Sequence, residues 1–310
     1  MKTFFRILLS FTLIICVLTL PQKLYASLNT DIITDEILSR REKYFYGTIT
    51  LWQIDCFEGG TGSRATWLKE QSYAFEKRHN GVYIAVETVS PERAEILLKT
   101  KKPDIISFSS PIKIGDTQQI SLNEPFFRTD LQSVVFDDAV PWCFGAYFLF
   151  EGEEEKSKDK IAYTEKNGYY PLRVTEEFDL NKQTQEFSKQ YEAFNAYANK
   201  KISSLIGTQR DLYRLKNLKE NRQGNISVAS YSDLVQYFSV FKQNNEKKTE
   251  MINKYISFIL SADVQNNIGK LGLFPVNIEA EPQFENTYMA TFWDEIKKKE
   301  FNFVCTIKNN

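Results

Sequence analysis

The sequence predicts an α/β fold in which parallel strands alternate with helices, and three segments carry that prediction. Residues 48–54 (TITLWQI) are rich in β-branched and apolar residues, which is typical of a buried strand. Apolar and polar residues alternate over residues 82–88, and residues 104–108 form a third β-rich run. Helical patterns separate the three segments. The order strand, helix, strand, helix, strand is typical of a parallel sheet with helices on its faces.

The later part of the chain continues the mixture of helices and strands. Residues 202–206 indicate a further strand, whereas residues 226–241 fit a strand or a helix equally well. Apolar residues at helical spacing predict four more helices, within residues 187–198, 212–218, 251–259 and a segment through Trp293.

The first 26 residues have the layout of a secretory signal peptide. Lys2 and Arg6 precede an apolar run over residues 7–20, and Ala26 offers a small residue at a cleavage point. The run is shorter than the roughly 20 residues that a membrane-spanning helix needs. We therefore predict a signal peptide over residues 1–26, cleavage near Ala26 and an extracytoplasmic location.

The cysteines predict neither a lipid anchor nor a disulfide framework. Cys16 lies inside the apolar run without the preceding small residues that a lipoprotein signal needs. Cys56, Cys143 and Cys305 remain after cleavage, an odd number at wide spacing that matches no zinc motif. Buried thiols are the favoured state, and a single bridge between Cys56 and Cys143 stays open.

Charge and histidine content narrow the classes of function. The net charge of −1 and the pI near 6.1 do not favour binding to nucleic acid, which needs a clustered basic face. The single histidine, His79, lies in a polar turn, whereas most imidazole-based triads and zinc hydrolase sites need histidine. We expect no cofactor, no metal and no enzymatic activity, although carboxylate chemistry does not depend on histidine.

Five segments of the chain resemble one family of binding proteins. The strongest are residues 258–265 (FILSADVQ) and 272–276 (GLFPV), in which a helix ends in Leu-Ser, a Gln-containing helix follows and a Gly-x-x-Pro stretch returns the chain. Residues 49–52 (ITLW), 102–104 (KPD) and 141–142 (PW) add weaker matches in the same order. Together they resemble the bacterial extracellular solute-binding proteins of the maltose-binding type, family 1.

The resemblance implies a type II periplasmic-binding-protein-like fold with two lobes, each a sheet flanked by helices, and a cleft between them. Lobe one would comprise residues 46–139 and 241–275, and a small lobe two would comprise residues 140–240 and 276–310. It further implies a monomer that captures a small solute, with a carbohydrate as the leading class, and delivers it to an ABC permease in the membrane.

The predicted ligand site combines strand ends, a glycine-rich loop and a helix start. Backbone N–H groups at Gly59 and Gly60 and the start of the following helix are suited to an anion or to sugar hydroxyls. Arg210 could clamp a carboxylate or instead pair with Asp211 or Asp233. The full predicted set is Asp55, Glu58, Gly59, Gly60, Ser63, Arg64, Ser107, Ser109, Trp142, Tyr147, Thr208, Gln209 and Arg210.

Several of the predicted site residues also have a purely structural interpretation. Trp142 and Tyr147 suit the core of a lobe as well as a cleft, and the glycine-rich loop could be a plain tight turn. Two other functions remain open: an extracytoplasmic sensor or interaction module built from a degenerate binding protein, and a secreted carboxylate-based hydrolase. The hydrolase needs two carboxylates facing each other across a cleft, and Asp55 and Glu58 share one loop.

Overall fold

The computed structural model describes residues 44–109, 112, 114–122, 127–152, 159–166, 168–180, 182–218 and 224–305. The chain divides into two compact units, Met1–Tyr46 and Gly47–Asn310. The predicted signal peptide and its cleavage site near Ala26 lie outside the described residues. All contacts discussed below belong to the second unit.

Strands and helices follow one another along the described chain. The strands are β1 (Gly47–Ile54), β2 (Val82–Val89), β3 (Ile105–Phe108), β4 (Thr117–Gln118), β5 (Val140–Phe144), β6 (Tyr147–Gly152), β7 (Lys160–Tyr163), β8 (Gln183–Glu186), β9 (Ser204–Thr208), β10 (Gly224–Val228), β11 (Tyr231–Ser232), β12 (Val235–Phe241), β13 (Phe274–Pro275) and β14 (Asn302–Phe303). The helices are α1 (Arg64–Glu76), α2 (Pro91–Leu97), α3 (Arg173–Glu177), α4 (Gln190–Ala198), α5 (Gln209–Lys216), α6 (Glu246–Leu260), α7 (Ala262–Gln265) and α8 (Thr287–Lys298), with 3-10 helices at Thr129–Val134 and Ile268–Leu271.

The first sheet has the strand order β13-β5-β12-β3-β1-β2, with β4 paired to β12. Its parallel part is β2-β1-β3, where Leu51 lies opposite both Val86 and Ile105. The predicted alternation of parallel strands and helices is confirmed here. β12 runs antiparallel to β3 and β5, so the sheet as a whole is mixed.

The second sheet has the order β10-β6-β9-β7-β8. β6 runs antiparallel to both neighbours, whereas β7 is parallel to β8 and β9. The ambiguous stretch over residues 226–241 turns out to hold most of β10 and all of β11 and β12, all of them strands. A short two-stranded sheet pairs β11 with β14.

Two of the places where the described chain passes between the two sheets lie side by side. It leaves the first sheet between β5 and β6 and returns between β11 and β12. The two crossings are joined by hydrogen bonds, because the Gly145 N–H donates to the Leu234 carbonyl (2.7 Å) and the Ser232 hydroxyl donates to the Gly145 carbonyl (2.8 Å). Since β5 and β12 pair within the first sheet, a division at these crossings fits the strand pairing better than one at residues 140 and 240. The division into lobes stays a prediction.

Buried aromatic rings bind α1 to the first sheet. The Trp142 ring stacks between Trp67 and Phe238, with ring centroids 5.4 Å apart on each side, and its Nε1 donates to the Ser107 hydroxyl (3.0 Å). Trp142 is fully buried, so it takes the core position rather than the cleft position.

Gln265, the glutamine that follows the Leu-Ser segment, has a structural role. Its Nε2 donates to the carbonyls of Trp142 and Ile259, and its Oε1 accepts from the Val276 N–H, all at 3.0 Å. One buried amide therefore ties α6, β5 and the segment after β13 together. No described helix is long and apolar enough to cross a membrane.

Candidate functional site

A cavity of about 610 Å³ lies among loops that belong to both sheets. One wall is the loop between β1 and α1, residues 55–59 and 61–64, together with Leu271 and Leu273. The facing wall comes from the second sheet and its helices: Thr164, Lys166, Tyr169, Pro171, Ser188, Lys189, Gln190, Tyr191, Ile206, Thr208 and Arg210. Tyr147 and Leu234, next to the two crossings, complete the lining.

Close backbone packing shapes the β1–α1 loop. The Gly60 N–H donates to the Gly272 carbonyl (3.2 Å) and the Thr61 N–H to the Leu271 carbonyl (3.0 Å). A Cβ at Gly60 would lie 2.6 Å from that Gly272 oxygen and 2.6 Å from the Tyr213 ring, so a larger residue does not fit. Gly60 is therefore a packing glycine and is not among the described lining residues, whereas Gly59 does line the cavity.

Arg64, the first residue of α1, is the most unusual side chain in the wall. Only 4% of it is exposed, and its Nη1 donates to Asp55 Oδ1 and to the Phe57 carbonyl, both at 2.9 Å. The guanidinium also lies 4.2 Å from the centroid of the Phe57 ring. Its Nε and Nη2 are buried and have no hydrogen-bond partner among the described residues. Ser63 caps the same helix by accepting from the Thr66 N–H (3.4 Å).

The start of α5 contacts the β1–α1 loop directly. A capping box begins this helix, in which the Thr208 hydroxyl accepts from Arg210 N and the Asp211 carboxylate accepts from Thr208 N. The helix therefore begins at Gln209, three residues before the predicted range 212–218. Arg210 Nη1 donates to the Gly60 carbonyl (2.9 Å), so Arg210 takes neither of the carboxylate partners that the sequence left open.

Gln209 and Glu58 connect the same two elements. The Gln209 Nε2 donates to the Glu58 carbonyl (2.7 Å), while its Oε1 accepts from the Ala146 N–H (3.1 Å). Gln209 is fully buried and is not among the described lining residues, so its amide serves the protein's own backbone. The Glu58 carboxylate pairs with Arg214 (2.9 Å), which also pairs with the buried Asp211 (2.7 Å).

The two predicted serines, Ser107 in β3 and Ser109 just after it, are buried and are not among the described lining residues. The Ser107 hydroxyl accepts from Trp142 and from Gln236 Nε2 (3.1 Å). The Ser109 hydroxyl donates to the Val235 carbonyl (2.5 Å) and accepts from the Tyr169 hydroxyl (2.8 Å). Both serines therefore use their hydrogen-bonding capacity inside the protein.

Tyr147 lines the cavity with its ring while its hydroxyl is bound in the interior. That hydroxyl donates to Asp233 Oδ1 (2.9 Å), and the other oxygen, Oδ2, accepts from the Tyr231 hydroxyl and the Tyr170 N–H, both at 2.8 Å. Burial raises the pKa of Asp233 above its ordinary value, and these three donors counter the rise only in part. The cluster lies next to the crossing between β11 and β12.

Sequence reasoning missed most of the second wall. Thr164 and Tyr169 follow β7, and Ser188 to Tyr191 lead into α4. The available signal for these residues was a polar turn after a strand or before a helix. Such turns recur throughout the chain, so the signal does not single out a site. The Thr164 hydroxyl is buried and has no partner among the described residues. Within those residues no group of three or more metal-ligating side chains occurs.

Comparison with known proteins gives structural matches only. No family model matches the chain, and no curated protein matches it in sequence. A crystal structure of an ABC transporter from Clostridium perfringens is 14% identical, with a TM-score of 0.60, covering 81% of this chain and 96% of that one. The maltose-bound MalE3 of T. maritima is 13% identical, with a TM-score of 0.55, covering 83% and 88%.

A third match is described as a two-component system protein that mediates signal transduction. It is 10% identical, with a TM-score of 0.55, and covers 85% of this chain and 97% of that one. At such low identity the matches show the fold and nothing finer. The chain has the two-lobed α/β fold of periplasmic binding proteins.

Proposed function

We propose that this protein is the extracytoplasmic solute-binding subunit of an ABC uptake transporter. The observation that carries the proposal is the cavity of about 610 Å³, whose walls come from loops of both sheets. Cavities of about 300–1,000 Å³ are typical of sites for small molecules. A ligand that touches both walls holds them together, which is how two-lobed binding proteins close.

The contacts between the walls support a movement of this kind. Among the described residues, two crossings between the sheets lie side by side, and a third connection after β13 leads to α8, whose Phe292 ring packs on Phe148 of β6 (5.1 Å). Three polar contacts, from Gln209, Arg210 and Arg214 to residues 58–60, join α5 to the β1–α1 loop. The contacts of Arg210 and Arg214 can exchange with water at small net cost, so they permit opening, whereas the contact of the fully buried Gln209 resists it.

A carbohydrate is the proposed ligand class. The rings of Phe57, Tyr169 and Tyr191 lie in the wall together with the Thr164 hydroxyl and the Asp55 carboxylate. Flat rings with nearby hydrogen-bonding groups suit the apolar faces and hydroxyls of a sugar. The neighbours described as an ABC transporter and as maltose-bound support both parts of the proposal by analogy of fold.

The charges of the wall argue against the alternative of a hydrolase. Among the described lining residues only Asp55 and Glu58 are acidic. Both come from one loop, and each is paired with an arginine, Arg64 or Arg214. A glycosidase needs two carboxylates on opposite sides of the bond that it cleaves.

A sensor role is the second candidate. The structural neighbour described as a two-component signalling protein favours it, since that protein shares this fold over 85% of the chain. Both roles need the same binding event and differ in the membrane partner. Co-purification with a permease complex or with a membrane-bound kinase would distinguish them.

The test of ligand capture is calorimetric and uses two exposed tyrosines. The exported protein is titrated with mono- and disaccharides and with amino acids, and its melting temperature is recorded with each. We expect at least one sugar to bind. Tyr191→Ala, in the wall, should weaken that sugar several-fold, since a stacked ring contributes about 0.5–1.5 kcal/mol. Tyr83→Ala, on β2 and outside the described wall, should not.

Two results would contradict this proposal. The first is the absence of binding across the whole set of compounds. The second is equal loss in Tyr191→Ala and Tyr83→Ala, since that would place the ligand elsewhere.

A further inference from the structure

We infer that the ligand is an acidic sugar, carrying a carboxylate or a phosphate group, and that Arg64 is the main anchor for that group. The inference rests on the proposed function and narrows its ligand class. Three independent features of the cavity carry it: an incompletely paired buried arginine, an excess of positive charge in the wall, and the convergence of helix starts.

The first feature is the hydrogen bonding of Arg64. Its side chain lines the cavity and is 96% buried; Nη1 donates to Asp55 and to the Phe57 carbonyl, and the guanidinium also lies beside the buried Cys143 thiol. Nε and Nη2 have no partner among the described residues. These two N–H groups form the edge of a guanidinium that binds a carboxylate or a phosphate through two parallel hydrogen bonds. Buried donors without partners are costly, so a ligand that supplies two oxygens gains that lost energy.

The second feature is the balance of charge. Among the described lining residues, four are cationic and two are acidic: Arg64, Lys166, Lys189 and Arg210 against Asp55 and Glu58. Glu58 is paired with an arginine that is not among the described lining residues; Lys189 pairs with Glu192 (3.8 Å), and Lys166 interacts with the exposed Glu92.

The two buried thiols beside Arg64 add no negative charge. Burial raises the pKa of Cys56 to about 11 and that of Cys143 to about 12, so both stay protonated at neutral pH. The positive excess of the wall therefore has no anionic thiolate to balance it.

The third feature is the arrangement of three helices. α1, α4 and α5 all begin at the cavity, since residues 63–64, 188–191 and 208 line it. The N-terminus of a helix carries a partial positive charge from its aligned peptide dipoles. Three such ends around one cavity favour an anion more than any one of them, and they add to the side-chain cations.

The body of the ligand follows from the rest of the wall. The rings of Phe57, Tyr169 and Tyr191 and the unpaired Thr164 hydroxyl suit a sugar ring and its hydroxyl groups. A cavity of about 610 Å³ accommodates one or two sugar units with an acidic substituent. Uronic acids and sugar phosphates share the required chemistry, and the experiment separates them.

The experiment uses matched pairs of charged and neutral sugars in titration calorimetry. Galacturonate and digalacturonate are compared with galactose and galactobiose; glucose 6-phosphate and trehalose 6-phosphate are compared with glucose and trehalose. We expect one charged probe to bind on the order of 10- to 100-fold more tightly than its neutral partner, the effect of one charge-assisted contact. The preference should shrink as NaCl is raised.

Variants test the assignment to Arg64. Arg64→Gln should reduce the affinity for the preferred charged probe by about 10- to 100-fold and leave the affinity for its neutral partner nearly unchanged. Arg78→Gln is the matched control, because Arg78 is exposed and lies beyond the other end of the same helix. If Arg64→Gln does not fold, the exposed residues Lys166 and Lys189 are replaced by glutamine instead. Each replacement removes one positive charge from the wall and should weaken binding of the charged probe a few-fold.

The outcomes separate the two proposals. Equal or tighter binding of neutral sugars overturns the acidic-sugar inference and leaves solute capture intact. A preference for charged probes that survives in Arg64→Gln, Lys166→Gln and Lys189→Gln also overturns it. Failure of every probe, charged and neutral, contradicts the proposed sugar-binding function itself.

Discussion

Replacing Gln209 by alanine should destabilise the protein strongly, although the sequence places this residue in the ligand site. The Gln209 amide makes two hydrogen bonds, with the Glu58 carbonyl at 2.7 Å and with the Ala146 N–H at 3.1 Å. The first bond joins α5 to the β1–α1 loop, and the second holds the crossing between β5 and β6. Alanine loses both contacts at a position that is fully buried.

The magnitude follows from what each partner does after the substitution. Ala146 is fully buried, so its N–H loses its acceptor without access to water, at a cost of about 1–3 kcal/mol. Glu58 is exposed and its carbonyl can turn to water, so losing the bond to this carbonyl costs about 0.5–1.5 kcal/mol net. The sum is roughly 1.5–4.5 kcal/mol, which lowers the melting temperature by roughly 3–18 °C for a chain of this size.

Urea denaturation followed by tryptophan fluorescence measures this loss. Gln132→Ala is the matched control, because Gln132 is exposed and an exposed glutamine should change stability by less than about 0.5 kcal/mol. A Gln209→Ala protein with an unchanged urea midpoint and a weakened ligand affinity would refute the reasoning, since it would make Gln209 a ligand contact and not a structural one.

Three further predictions concern packing, pH and thiol chemistry. Gly272→Ala should cost roughly 2–4 kcal/mol in urea denaturation, because Gly272 has φ +57° and a Cβ there would lie 2.6 Å from the Tyr213 ring. In the wild type, the raised pKa of Asp233 means that the folded state binds its proton more tightly, so Asp233 favours stability at acid pH and loses that contribution as pH rises from about 4 through the raised pKa. The stability of the wild type relative to Asp233→Asn should therefore increase as pH falls from 7 towards 4 in parallel urea titrations. Cys143, fully buried, should resist a thiol reagent in the native protein and react after unfolding; labelling in the presence and absence of urea, followed by mass spectrometry of the peptides, distinguishes it from the other thiols.

Each of these predictions has a result that contradicts it. For Gly272 the control is Gly115→Ala, where nothing lies within 4 Å of the added Cβ; equal stability of the two variants would remove the packing argument. For Asp233, a difference from Asp233→Asn that stays constant between pH 4 and pH 7 would mean that its pKa is not raised. Rapid native labelling of Cys143, identified by mass spectrometry, would contradict its burial.

The parallel part of the first sheet was predictable because its signals are local. Residues 48–54, 82–88 and 104–108 each form one strand, and the helix after each of the first two lies within the intervening residues. The helix over residues 251–259 was also found, since Met251, Ile252 and Ile259 are all buried on one side of α6. In these elements the spacing of the apolar residues matches the face that is buried, so the sequence pattern is sufficient to predict the element.

The pairing of the second sheet was not predictable, because it joins distant segments. Phe148 in β6 lies opposite Gly207 in β9, and β10 lies on the other side of β6. β5 and β12 were harder still, since they are fully buried and their apolar runs have no alternation that would indicate a partner. Strand order in such runs depends on tertiary packing, not on local propensity.

The candidate site also has a part that the sequence predicts and a part that it does not. Asp55, Glu58 and Arg64 surround a glycine-rich turn after a strand, a local signal that indicates the wall of the first sheet. Thr164 and the residues before α4 have no comparable signal, since polar turns are common and only the folded chain brings these two segments to one cavity. Ser107 and Trp142 were assigned to the site from their position in the chain, but each satisfies the other's hydrogen bond in the core.

Arg64 shows how a departure from local rules can point to function. As the first residue of α1 it puts a positive charge at the positive end of the helix dipole, where acidic residues are favoured, and the first turn of α1 has no acidic residue. It is also buried with two unpaired N–H groups among the described residues. Each feature alone lowers stability. Asp55 already supplies one negative charge to the guanidinium. An anion bound at this point would add a second, meet the dipole and accept the remaining N–H groups, so it would offset both features at once. Residues that break several local rules in one place are expected at functional sites, and the partner that we propose for Arg64 is a ligand with negative charge.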